Sequence, residues 1–488
     1  MNSSKQADGH RFDFRTLLIC LITLGGLWWA GDLAAQHSNA ASYFRKPEKI
    51  VYEDFLFASA IAEKDFQEKH PKLGVFYEYQ QESPKTLLKK SEHLLVDKLN
   101  SFVQEGYPIT RLRLVRYCLG KDVFDTRSEE KTVSAEDLSL SNDLGLALTN
   151  PESKADLDKN EIAKAFPDDC MRHFFWRTYY EKRNESNAAK KEAEFLRISI
   201  KPIQSHIVNV IITDSLTVFV GLIIFLVLLA RKKLFLPGTD TSDNLIYPKP
   251  KGVLFSILSV VYVAVCGSML CTTIDLVLRL YIATSTASAI RYYLIYPAQL
   301  IGIYFLAIKQ QGLNIWQGIG LRSTSKDETK KLVLQGIAAF FVLSFLSSAT
   351  IWISMILPSA IIEDSSLDML VMSVNRSITI PLIIVVTITG PFVEEAIFRG
   401  YLYQILRTKI AQSTAMILTA ALFSASHFHF NPYTAGHHFL MGLVTIYIFV
   451  RTRSLLPAII CHSVWNATVS ISLLAGLCKY YSVQKVLF

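Results

Sequence analysis

Apolar residues form long runs through most of the chain beyond residue 205, while polar residues gather between 36 and 203. Crossing the hydrocarbon layer takes about 20 mainly apolar residues in a helix. The first run of that kind covers residues 16–35 and follows Lys5, Arg11 and Arg15. A signal peptide starts in the same way, and Leu33-Ala34-Ala35 before Gln36 has the small residues of a cleavage site. Trp28-Trp29 near the far end suits a membrane-interface belt, so the run is read as an uncleaved anchor. Further runs lie at 206–230, 252–278, 290–308, 332–357, 378–405, 414–427, 437–450 and 455–474. Together they predict an all-α, polytopic transmembrane bundle of about nine spans.

Basic residues orient this bundle. With a cytoplasmic N-terminus, Arg231-Lys232-Lys233, the stretch from Lys309 to Lys331, Arg407 with Lys409, and Arg451 with Arg453 all fall inside. Glu363, Asp364 and Asp368 fall outside; Arg279 and Arg291 border an outer turn and run against the rule. The expected order is an anchor at 1–35, an extracytoplasmic domain at 36–203, a helix with a basic cytoplasmic loop at 204–251, and a membrane core at 252–478. Within 36–203, Leu87, Leu88, Leu94, Leu95 and Leu99 recur at helical spacing. Ile109, Phe174, Phe175 and Trp176 supply core material, so this insert is expected to be α-rich. The polar, acidic stretch 134–159 is expected to be loop, and 183–194 a charged helix leading into the next span.

Composition sharpens the class. Of 488 residues, 51% are hydrophobic and 19% charged, against about 25% charged in soluble domains. The net charge of +8 lies largely in short loops beside apolar runs. No basic stripe with interleaved aromatics occurs, which argues against a nucleic-acid partner. Cys118 and Cys170 are the cysteines of the outer domain, either a disulfide or two free thiols. Asn184-Glu185-Ser186 and Asn375-Arg376-Ser377 are glycosylation sequons.

The chemistry concentrates in Gly390-Pro391-Phe392-Val393-Glu394-Glu395-Ala396-Ile397-Phe398-Arg399-Gly400. An acidic residue at a span's centre opposes insertion by roughly 2.5–3.5 kcal/mol, so it persists where it is paired or lines a wet cavity. Glu395 and Arg399 are four apart and share a face. Glu394 is rotated about 100° away and is free to face a cavity. Phe423 and His427 close one later run; His462 and Asn466 lie four apart on the last.

EExxxR, FxxxH and HxxxN in successive spans resemble the CPBP intramembrane peptidases, which include the CAAX prenyl endopeptidases and their bacterial Abi relatives. Glu394, Glu395 and Arg399 match the first motif, Phe423 and His427 the second, His462 and Asn466 the third. The resemblance covers residues 252–474 and makes the core a glutamic-type endopeptidase acting on a membrane-associated protein or peptide. It implies that Glu394, assisted by His427, activates water, while His462 and Asn466 donate hydrogen bonds to the oxyanion. No cofactor and no metal are expected.

Two alternatives remain at this level. His427, His429, His437, His438 and His462 with Glu394 offer donors for a zinc peptidase, although no HExxH occurs. Asp214 and the same-face pair Asp275–Arg279 would suit a transporter, or simple helix pairing in a scaffold or immunity protein. The outer domain is expected to recruit a partner or to cap the bundle. Residues 401–407 are expected to lie along the cytoplasmic surface.

Overall fold

The computed structural model describes residues 52–70, 84–99, 107–124, 134–150, 157–166, 169–231, 260, 263, 271, 274, 284–309, 315, 319, 321, 325–356, 383–408, 410–427 and 432–484. Among them every regular element is helical, in keeping with the all-α class. The chain divides into a unit of residues 37–212 with 473–488 and a unit of residues 1–36 with 213–472. The anchor expected at 16–35 lies outside the described residues, and 252–278 is described at four positions.

The first unit contains α1 (Tyr52–Lys69), α2 (Pro84–Leu99), α3 (Pro108–Cys118), α4 (Ala135–Thr149), α5 (Lys159–Ala165), α6 (Asp169–Lys182) and the start of α7 (Ser186–Ala230). Helix α2 begins at Pro84, whose missing N–H costs nothing at a first helical position, and it buries Leu88 and Leu95. Helix α4 occupies Ala135–Thr149 of the stretch 134–159 expected to be loop. Ser134 caps it by accepting from the Asp137 amide at 3.1 Å, and Leu140, Leu144 and Leu148 face the core.

Asp137 explains why an acidic stretch is helical here. It is buried, and its carboxylate accepts the Ile109 and Thr110 amides at 3.1 Å each and the Thr110 hydroxyl at 2.6 Å. Helix α3 lacks a side-chain cap of its own at Tyr107, so α4 satisfies its orphan N–H groups. Three arginines of α3 are buried with partners. Arg111 donates to the Ala165 carbonyl at 2.9 Å, Arg113 to Asn142 at 2.7 Å, and Arg116 pairs with Glu92 at 3.0 Å. Cys118 and Cys170 are both free thiols, so the disulfide alternative does not hold.

The second unit takes the rest of α7, then α8 (Thr284–Ile303), α9 (Lys326–Ile356), α10 (Gly390–Glu395), α11 (Gln404–Arg407), α12 (Gln412–Ser426), α13 (Pro432–Thr452) and the start of α14 (Leu456–Gln484). Its surface is inverted relative to a soluble domain. Leu216 and Phe219 on α7, Leu334 on α9 and Ile471 on α14 are 58–66% exposed, whereas Glu395, Arg399 and His462 are 0–2% exposed. Hydroxyls inside return to their own helices: Ser344, Thr419 and Thr445 donate to carbonyls four residues back at 2.8–2.9 Å. Lipid offers no hydrogen bonds, and this arrangement asks for none.

Among the described residues, two helices are long and apolar enough to cross a membrane, Ser186–Ala230 and Lys326–Ser348. The count of about nine spans is not reached among them. The remaining helices are shorter, more mixed, or packed around buried polar groups, so length and hydropathy alone do not single them out. Residues 401–406, expected at the surface, are buried instead. Tyr401 and Leu402 join Phe423, Met441 and Phe449 in the apolar cluster beneath the charged centre.

Candidate active site

Residues 383–407 run as one helix with two wide turns. Val385–Thr389 and Ala396–Tyr403 are π-helical and flank α10, so α10 is offset in phase on both sides. Such inserts occur often where a helix must aim side chains at a site. Small residues let neighbours close on it. A Cβ on Gly390 would stand 2.8 Å from the Tyr296 ring, and one on Gly400 would collide with the Ile319 carbonyl oxygen.

The adjacent glutamates part company as their 100° offset demands. Glu395 is fully buried, its Oε2 3.1 Å from Arg399 Nε and its Oε1 2.9 Å from His462 Nδ1. Glu394 keeps 19% of its side chain exposed. Its Oε2 stands 3.8 Å from His427 Nε2 and 3.8 Å from His462 Nε2. Three helical segments separated by up to 68 positions thus converge on one carboxylate oxygen. At 3.8 Å neither contact is a direct hydrogen bond.

Partners of the far ring nitrogens orient both imidazoles. His427 caps the C-terminus of α12, and its Nδ1 lies 2.8 Å from the Phe423 carbonyl. A carbonyl only accepts, so that nitrogen carries the proton and donates. His462 Nδ1 likewise donates to the Glu395 carboxylate. Each ring is therefore held by its δ nitrogen and presents its ε nitrogen to Glu394. Phe423 sits among these groups. Arg399 lies 4.3 Å from its ring centre, and the His427 and His462 rings meet it edge-on at 4.7 and 5.9 Å.

This constellation lies within a stretch of recognisable kinship. Residues 376–468 match the family model described as type II CAAX prenyl endopeptidase Rce1-like. The candidate membrane peptidase YdiL of Bacillus subtilis (strain 168) is 28% identical over 167 residues, 34% of this chain and 66% of its own length. The chain thus spans slightly under two thirds of the curated relative it matches. No solved structure matches it. The resemblance drawn from EExxxR, FxxxH and HxxxN agrees with both comparisons. Apolar outer faces, buried charge and these matches mark an integral membrane protein.

Within the matched segment, Asn466 stands apart from the glutamates' immediate contacts. Its Nδ2 donates to the Val386 carbonyl at 3.0 Å, inside the first π-helical turn. That bond uses one amide hydrogen and ties α14 to the segment leading into α10. Two residues that the motifs left aside also belong here. His438 stacks on His427 with ring centres 4.1 Å apart, and the buried His437 lies 2.9 Å from Ser347 Oγ and 4.3 Å from the Trp465 ring. Their signal in the sequence was two consecutive histidines in an apolar helix, considered earlier as zinc ligands. Among the described residues no three of His, Cys, Asp and Glu are gathered as metal ligands, and His429 lies outside them.

Proposed function

We propose that this chain is a glutamic-type intramembrane endopeptidase that hydrolyses a peptide bond in a membrane-associated protein. One observation carries the proposal: two imidazole ε nitrogens, each 3.8 Å away, face a single oxygen of the largely buried Glu394. A nucleophilic water among those three atoms would lose its proton to Glu394 as its oxygen adds to the substrate carbonyl carbon. With Nδ1 donating to the Phe423 carbonyl, the His427 Nε2 lone pair accepts a hydrogen bond from the same water.

His462 takes the role of donor to the oxyanion. Donation from its Nε2 requires a proton on both ring nitrogens, since Nδ1 already donates to the Glu395 carboxylate at 2.9 Å. Its Nδ1–H remains on Glu395, and its Nε2–H turns from Glu394 to the developing oxyanion. When the tetrahedral centre collapses, the C–N bond breaks and the proton held by Glu394 passes to the leaving amine. Asn466 keeps α10 in place through Val386 and has a second amide hydrogen for the substrate.

A prenylated CAAX-type protein is the substrate class that the matched family's description supports. In this proposal the N-terminus lies in the cytoplasm and residues 36–203 outside, where they would meet a partner, as the basic loops at 231–233 and 451–453 support. The test is cleavage of a quenched farnesylated peptide by the full chain in liposomes. Glu394→Gln and His462→Ala should each lower kcat about 10²-fold or more. Full activity in Glu394→Gln would end the proposal.

A further inference from the structure

The rings on α13 carry a further assignment. His427 is held on three sides: its Nδ1 by the Phe423 carbonyl at 2.8 Å, its edge by the Phe423 ring at 4.7 Å, and one face by His438 at 4.1 Å with the planes 32° apart. It is the C-cap residue of α12, and the first two of these contacts come from Phe423 on the same helix. The face contact is the one of the three that comes from another helix.

Helix α13 is well placed to supply it. His437, the preceding residue, is 8% exposed and contacts both Ser347 on α9 and Trp465 on α14. Close packing of Gly442 against Ala420, where a Cβ would stand 2.9 Å from the Ala420 Cα and Cβ, binds α13 to α12. The platform beneath His438 is thus anchored to three helices, while His427 rests on it.

We propose that His438 is a positioning residue whose flat face sets the orientation of His427, and through it the direction of His427 Nε2 toward Glu394. This rests on the peptidase proposal for its consequence in turnover, although the geometric claim concerns His427 alone. A π face is what the stack requires, not a titratable nitrogen. Phenylalanine at 438 should then replace histidine, and leucine, of similar bulk without a π face, should not.

The deciding measurement is the rate at which diethyl pyrocarbonate modifies His427, read by peptide mass spectrometry on the full chain in liposomes. His438→Leu should raise that rate about tenfold by freeing the ring, and His438→Phe should stay within about twofold of the unsubstituted protein. Equal rates in all three proteins, or equal changes in both variants, would overturn the assignment. On the farnesylated peptide, His438→Leu should lower kcat about tenfold with KM unchanged, and His438→Phe should recover it. Glu394→Gln run beside them separates the two ideas. If it retains activity the peptidase proposal fails, and the labelling still decides the stack.

Discussion

Arg399 is fully buried, with Glu395 along one side and the Phe423 ring beneath it. Its spacing to Glu395 was visible in the sequence, because four positions bring two side chains onto one helical face. The consequence for stability follows from burial. Arg399→Gln leaves the Glu395 carboxylate in a low-dielectric interior with His462 as its remaining partner, and should destabilise the fold by roughly 3–5 kcal/mol. Thermal unfolding in detergent reads this; an unchanged midpoint would mean that Glu395 does not carry its charge. Outside the membrane segments, burial pushes the Cys118 thiol up to about 12, with Lys64 opposing it. A raised folded value means that the neutral thiol is preferred in the native state, so its stabilising contribution is complete below pH 9 and declines from there toward pH 12. At pH 8 iodoacetamide should alkylate Cys118 about 10³-fold more slowly in the native protein than in urea, since each pKa unit is tenfold in thiolate.

At the scale of the element, the helix from 383 to 407 shows what periodicity hides. An apolar run with two glutamates predicts a regular span, yet two π-helical turns rephase it around α10. These wide turns depend on neighbours, and Gly400 is the point of closest approach. Gly400→Ala would push a methyl group into the Ile319 carbonyl, at about 1–3 kcal/mol or more. The expected result is loss of monodisperse protein on gel filtration together with loss of cleavage; a well-folded, fully active variant would show that the loop at 319 yields. Helix α4 went unrecognised for a related reason. Its acidic first turn reads as loop, but Asp137 is needed to cap α3, and a partner 27 positions away leaves no local signature.

For the molecule as a whole, the contrast between apolar outside and charged inside is the main organising fact of the second unit. Leu216, Phe219 and Ile471 remain on the surface because lipid, not water, is the solvent that suits them. Orientation is open to a direct test. Asn184 is exposed at a positive φ of 58° in the turn before α7, with Ser186 completing its sequon. In a microsomal translation system it should acquire a glycan, lost in Asn184→Gln, if residues 36–203 enter the lumen. An unmodified Asn184 alongside a glycosylated control would place that region on the other side.

The order of residues by itself determined the all-α class, the membrane character and which side chains are candidates for the chemistry. Hydrophobic period, charge placement and four-residue spacing act along the chain and need no fold to be read. Only tertiary structure decided that His427 and His462 meet at the same oxygen of Glu394, that Asn466 holds Val386, and that His438 underlies His427. Those contacts join helices far apart in sequence, and their geometry depends on packing depth and helix phase, which no local pattern encodes.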